Sequence, residues 1–315
     1  MGVSRGRILG GLALSLVSAV FLIVSWQSFG NLWWLTFVAF VPMYVAQYRV
    51  LPRRWGAVPV ALAFAGYYLA LALGGASVLP LGIIAAITVA LGVIGFVIGL
   101  FMRPFAERTG YRWFVVQFGL PWVAIDLLLQ NNEVSGTYSW IAYRLGEAPQ
   151  LVQPVSITGT PALSLLLHVI NATIALVVLA LMDRRWPGLA DVHVPRRVLT
   201  WSVAIPVVVT AIWVGSSLLI FRDVSNRMGP SVRVAAVQPG LDNAFSGTLM
   251  SAGDLIPGRS NEQRRQDQIV QLSEMPRQAV AEGAKVVVWP EEALDYDPRV
   301  IQTEWIPALV RQTVA

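Results

Sequence analysis

The sequence predicts a multi-pass α-helical membrane domain of seven spans, followed by the start of an α/β domain. Three observations carry that reading. Of the 315 residues, 56% are hydrophobic and only 13% charged. Together with a mean hydropathy of +0.61, this describes a polytopic membrane protein rather than two soluble domains. Seven apolar stretches, each long enough to cross about 30 Å of hydrocarbon, follow one another through residues 1–221. The balance then changes: residues 222–315 hold 12 acidic and 10 basic side chains, where residues 1–221 hold 6 and 13. The membrane domain is therefore assigned to 1–221 and a second domain to 222–315.

The spans are placed at 8–25, 31–48, 56–74, 78–102, 113–130, 155–181 and 199–221, as helices, because a spanning segment must satisfy its backbone internally. The basic start and apolar body of MGVSRGRILGGLALSLVSAV suit a signal peptide, but six further apolar stretches make it a first span. Trp33, Trp34, Tyr48, Trp55, Tyr111, Trp113 and Trp186 cluster near the proposed ends, where aromatic rings anchor at the interface. Arginines set the orientation. Arg5 and Arg7 precede span 1, and Arg49, Arg53 and Arg54 follow span 2. Arg103, Arg108 and Arg112 follow span 4, and Arg184, Arg185, Arg196 and Arg197 follow span 6. The loops on the other side hold Arg144 alone. By the positive-inside rule the N-terminus is cytoplasmic and everything after residue 221 is extracytoplasmic.

Composition also excludes chemistry. The formal charge of +5 comes without the basic runs that track nucleic acid, and Lys285 is the sole lysine. No cysteine is present, which removes disulfides, thiolate metal sites and a thiol nucleophile from these residues. With His168 and His193 as the only histidines, a histidine-based metal centre is not expected.

Within the spans, Asp126 in PWVAIDLLLQ lies within a turn or so of the outer end. It is a functional candidate, with a solvated or helix-capping role as the alternative. His168 and Asn171 are expected to hydrogen-bond between helices. The long outer loop NNEVSGTYSWIAYRLGEAPQLVQP carries Tyr138, Trp140 and Tyr143 at near-alternating positions. These are either interfacial anchors or the lining of a lipid-accessible cleft.

In the tail, SVRVAAVQPG (231–240) reads as a short buried strand ended by Pro239-Gly240. A polar loop follows, then a helix from Ser260 with Gln263 as a capping-box partner, interrupted near Glu274–Met275 by Pro276. Gly283 closes the helical pattern, and KVVVW (285–289) forms the next strand. A crossover of this kind predicts parallel strands, and functional groups of such sheets gather at strand carboxyl ends. Glu291, just past Trp289-Pro290, sits at such an end.

The pair VRVAAVQPG and KVVVWPEEA resembles the opening of the nitrilase, or carbon–nitrogen hydrolase, fold. Preceded by seven spans and by SGTYSWIAYRLGEAPQLVQPVSITGTPALSLLL, with Gln153 and Gly159 as supporting matches, the chain is similar to the bacterial apolipoprotein N-acyltransferases. That resemblance implies an enzyme of the bacterial cytoplasmic membrane. Such an enzyme moves an acyl chain from a phospholipid donor onto the α-amino group of a diacylglyceryl-cysteine lipoprotein, without cofactor or metal. It also implies a Glu–Lys–Cys triad. Glu291 matches the family's glutamate, the general base that generates the thiolate; a lysine would steady the oxyanion. Glu292 is a turn residue, and Lys285 begins the glutamate's own strand rather than lying downstream of it. The family's lysine, cysteine and closing span have no counterpart here, so the chain is expected to be a truncated portion, inactive alone. The Lys-Trp pair often found after the first strand is absent from LDNAFSGTLMSAGD, which bears on lipid contacts there. Two other readings stay open: a membrane-tethered amidase of the same superfamily, and a non-catalytic membrane protein or transporter. Against the transporter stands the lack of internal repeats and midplane charge.

Overall fold

The structure is a computed structural model that describes residues 5–26, 32–74, 81–131, 137, 139–189, 191–229, 231–237 and 274–288. Tyr138, the 260–273 helix start and Glu291 lie outside the described residues. The chain forms two compact units, residues 1–74 with 81–226 and residues 75–80 with 227–315. Its helices run in the order α1 (Arg5–Val24), α2 (Val41–Val45), α3 (Val58–Gly74), α4 (Leu81–Arg108), α5 (Gly119–Leu129), α6 (Val155–Thr158), α7 (Thr160–Arg185) and α8 (Arg196–Arg227).

Among the described residues, five helices are long and apolar enough to cross a membrane: Arg5–Val24, Arg53–Ala72, Leu81–Arg108, Thr160–Arg185 and Arg196–Arg227. The second and fifth expected spans are built differently. Residues 33–50 wind as a 3₁₀ turn (Trp33–Phe37), then α2, then a π turn (Ala46–Val50). Pro42 at the start of α2 lacks an N–H, so the helix restarts there rather than running through. In the fifth stretch residues 109–118 advance in turns, and α5 covers only 11 residues, about 16 Å at 1.5 Å per residue. At the sixth, Gly159 at φ +78° separates α6 from α7. The last helix continues to Arg227, past residue 221, where the apolar pattern fades.

A break inside hydrocarbon leaves backbone groups that water cannot satisfy. Asn171 of α7 supplies what is missing. Its Oδ1 accepts from the Phe40 N–H at 2.9 Å, and its Nδ2 donates to the Thr36 carbonyl at 2.8 Å and to Leu167 O at 2.9 Å. The expected interhelical role of Asn171 is thus met, with backbone as the partner. The expectation for His168 is corrected: it is buried, but neither ring nitrogen has a hydrogen-bond partner among the described residues. Its ring packs instead on Phe40, Phe118 and Trp122, with centroids 4.9–5.3 Å away. The reason is its surroundings: α5 and α7 approach closely at Gly119, where a Cβ would meet His168 Cβ at 2.7 Å, and the ring is directed among aromatic neighbours.

These rings belong to an aromatic column that fills the bundle. Tyr68, Phe64, Trp122, Phe40, Phe118, Tyr44, Phe114, Tyr48 and Tyr111 follow one another with centroids 4.3–6.2 Å apart. Edge-to-face and tilted pairs of this kind add to their area burial. Along the side of the column, α4 meets α3 through glycines. A Cβ on Gly95 would lie 2.7 Å from Phe64 Cβ, and one on Gly99 would lie 2.8 Å from Ala57 Cα. Small residues let the two backbones approach as membrane helices do, while Val89, Val93, Val97 and Phe101 of α4 point outward.

In the second unit, β1 (Val234–Ala236) and β2 (Val286–Val288) pair in parallel, with Ala235 opposite Val287. Val237 N donates to Val288 O at 2.9 Å, and Lys285 N to Arg233 O at 2.8 Å. The parallel pairing is therefore as the sequence predicts, over Val234–Ala236 and Val286–Val288; the expectation that the first strand is buried is corrected, since Val234 is 55% exposed. Pro276 lies in a described helical segment at 274–281; whether it interrupts a helix begun earlier falls on residues outside the described ones. Gly283 at φ +92° closes that segment, and Ala284 N reaches back to Ala279 O at 2.9 Å.

Replacing Asn171 with Ala should lower bundle stability by about 1–2 kcal/mol, since interhelical polar contacts in membranes reach about 1.7 and here two backbone groups are left bare. Unfolding of the purified protein in mild detergent measures it. A midpoint unchanged from the parent would mean that the 36–40 break is held by packing alone.

Candidate functional site

Polar side chains of the first unit gather at the two ends of α1, about 30 Å apart for a helix of this length. At its start, Arg7 donates to the carbonyls of Val50 (2.8 Å), Arg49 (2.8 Å) and Leu189 (2.9 Å). Arg103 donates to Gln47 O and Leu51 O, both at 2.9 Å, and pairs with Glu107 at 2.9 Å. Arg49 is 1% exposed and makes a two-pronged bond to Asp183, at 2.7 and 2.9 Å. Asp183 in turn accepts from Val194 N at 3.0 Å. A helix end leaves carbonyls without internal partners, and guanidinium forks satisfy several at once. These arginines, which the sequence presents as orientation signals, are also the caps of the irregular 46–51 turn. Asp183 was not singled out in the sequence, because a lone acid in a basic loop has no pattern that announces its partner.

At the far end of α1 the polar groups form a chain. Arg144 is fully buried and donates to Leu22 O and Ser25 Oγ. Its guanidinium lies 4.7 Å from the Tyr67 ring and 5.4 Å from that of Trp26, within the range of cation–π attraction. Burial lowers Arg144 to about 10, and it remains a cation at neutral pH. Tyr67 OH donates to Ser139 O at 2.5 Å, and Ser139 Oγ donates to Asp126 at 2.8 Å. Asp126 is 0% exposed, which corrects the solvated or capping role allowed for it. The cause is local: the 3₁₀ segment Ile141–Glu147 and the turn before it fold inward over α5 and bring Ser139 onto the carboxylate. Asp126 Oδ2 has no hydrogen-bond partner among the described residues. The arrangement ties α1, α3, α5 and the 139–147 segment together through one buried cation and one buried acid.

The loop aromatics part company here. Trp140 is 1% exposed and packs inward, so it lines no open surface, whereas Tyr143 is 41% exposed. Tyr138 lies outside the described residues. Of the expected nitrilase-type site, the described part is the parallel pair that leads toward Glu291: Val288, the last residue of β2, is bonded through its carbonyl to Val237. Lys285 stands at the opening of the same strand, its backbone N–H held by Arg233. Among the described residues no cluster of three or more His, Asp or Glu could hold a metal.

Ser139→Ala should destabilise the bundle by about 1–2 kcal/mol, the usual loss when a buried acceptor is stripped of its donor. In an Asp126→Asn background the same change should cost less than half as much, because a neutral amide is cheaper to leave bare. Thermal unfolding of the four proteins in micelles gives the coupling, and equal losses in both backgrounds would exclude the bond as a stabilising element.

Comparison with protein-family models finds no match to this chain, and comparison with curated proteins finds none either.

Proposed function

We propose that this chain is part of a membrane-embedded acyltransferase of the carbon–nitrogen hydrolase type, with Glu291 as its general base. The observation that carries the reading is the parallel β1–β2 pair. The sequence Trp289-Pro290-Glu291 follows directly at the carboxyl end of β2, on a chain with five helices of membrane-crossing length. Carboxyl ends of parallel strands are where such sheets hold their reactive groups. The seven-span topology, with a cytoplasmic N-terminus and an extracytoplasmic tail in a bacterial cytoplasmic membrane, belongs to the same proposal and rests on the arginine distribution.

The chemistry would run in two halves. The Glu291 carboxylate takes the proton of a thiol, and the thiolate attacks the ester carbonyl of a phospholipid. The ester C–O bond breaks, the lysophospholipid alkoxide leaves with the proton, and a thioester remains. The α-amine of a diacylglyceryl-cysteine lipoprotein then attacks the thioester and gives a proton to the Glu291 carboxylate; the C–S bond breaks, the amide forms, and the departing thiolate takes the proton back from Glu291. These 315 residues contain no cysteine, so within them the base has no thiol to serve, and they form no acyl-thioester by themselves. Lys285 is not assigned the oxyanion role, because it opens the strand at whose other end Glu291 follows. A lipid donor is preferred to a small amide because so much of the chain is apolar helix.

The test uses phospholipid labelled in its acyl chain and a diacylglyceryl-cysteine peptide, in proteoliposomes. The protein is supplied as these 315 residues and as the polypeptide encoded by the whole gene. No labelled amide is expected from the 315 residues. From the gene product, transfer is expected and should fall by at least about 100-fold with Glu291→Gln, as for loss of a positioned general base. Undiminished transfer by the Glu291→Gln protein would remove Glu291 from the mechanism; hydrolysis of small amides without transfer would favour an amidase.

A further inference from the structure

The last helix of the bundle stands away from its neighbours. In α8 only Ser202, Pro206 and Ser217 are buried. On its far half it is tied to the loop before α7 by two hydrogen bonds, Trp213 Nε1 to Leu151 O at 2.9 Å and Gln153 N to Ser217 Oγ at 3.0 Å. Between α8, α7 and the 112–116 turn this leaves an open groove of about 450 Å³. Its walls are aliphatic, with Val116, Leu165, Val169, Ile205 and Val209 among them. Arg112 is its one charged lining residue, and it makes no ion pair among the described residues.

Two further features suit an occupant. The groove follows α8 from Trp201 to Trp213, about 18 Å of helix at 1.5 Å per residue, which matches one leaflet of a hydrocarbon core about 30 Å thick. The turn that presents Arg112 is fixed by an uncommon backbone. Tyr111 takes φ +64°, a strained choice for a bulky residue. It is held there by Arg49, whose Nη1 donates to Tyr111 OH at 3.0 Å, and by its own N–H on Ala106 O at 2.7 Å. Arg112 is thereby kept at the same end of the bundle as Arg7, Arg49 and Arg103, where a headgroup layer would meet the protein.

We propose that this groove holds one phospholipid of the leaflet at the arginine-bearing end, with its phosphate on Arg112 and an acyl chain between α7 and α8. A guanidinium at the mouth of an apolar slot one leaflet deep fits a phosphate joined to a hydrocarbon tail. It suits neither a free anion, which would leave the slot empty, nor an uncharged chain, which would leave the cation unused. The site is separate from the acyl-transfer reading, and its test has no activity readout.

The purified 315-residue chain is delipidated in mild detergent, supplied with phosphatidylglycerol, and weighed by native mass spectrometry. One retained lipid per chain is expected. Arg112→Ala should reduce its retention about five-fold, the factor for one arginine near an anionic headgroup. Ala162→Phe, which fills the groove from α7, should abolish it while far-ultraviolet circular dichroism stays unchanged. Diacylglycerol should be retained at the Arg112→Ala level. The site is overturned by lipid numbers that climb without saturating, by retention indifferent to either substitution, or by a dimer mass in place of a lipid adduct, which would give the groove to a second copy of the chain.

Discussion

A backbone group inside a bilayer has no water to turn to, and the first unit is organised around that constraint. The chain interrupts its helices at 38–40, at 109–118 and at Gly159, and each interruption has a local remedy. Asn171 reaches across from α7 to serve both sides of the first break. At the second, the turn is anchored by Tyr111 and Arg49. At the third, Gly159 N returns to Val155 O at 2.9 Å before α7 begins. Irregular backbone in membranes survives where protein covers it, and here the aromatic column does the covering.

The buried charges follow the same logic at the bundle's ends. Arg49 and Asp183 are a geometrically good pair, and Arg49 Nη1 also donates to Tyr48 O and Tyr111 OH; added hydrogen bonds of this kind are the condition under which a buried ion pair holds its place. Among the described residues Arg144 makes no ion pair. Its charge is met by a carbonyl, a hydroxyl and two aromatic faces, while the path to Asp126 runs through Tyr67 and Ser139. Such a relay spreads one cation and one acid over four chain segments, so their mutual orientation depends on all four. It adds polar ties to the burial of Trp140, Ile141 and Leu145 that already seats the 139–147 segment in the core.

Much of this was legible in the sequence where the signal is periodic or compositional. Five membrane-length helices, the parallel strands and the glycine at 283 follow from apolar length, β-branched runs and turn chemistry. The second and fifth spans were not, since apolar length cannot tell a straight helix from a winding one; Pro42 and the Thr109-Gly110-Tyr111 turn were the only hints. Asp126 could be flagged as an acid in a span, but its burial depends on Ser139, a residue with no pattern of its own. Trp140 and Tyr143 look alike in sequence and differ in exposure; Trp140 stands on extended backbone just before the 3₁₀ segment, whereas Tyr143 lies within it. Long-range polar pairs such as Arg7 with Leu189 have no sequence signature at all.

That last pair has a consequence for how the bundle is made. Arg7 leaves the ribosome before Leu189, which lies 182 residues further on. At about 5–20 residues per second of synthesis, its third carbonyl partner arrives roughly ten to forty seconds after it does. Until then the head of α1 has to keep its guanidinium among lipid phosphates or water. The first helix is therefore a provisional lodger in the membrane, and its final seat exists only once the seventh apolar stretch of the design has been reached by the loop that precedes it.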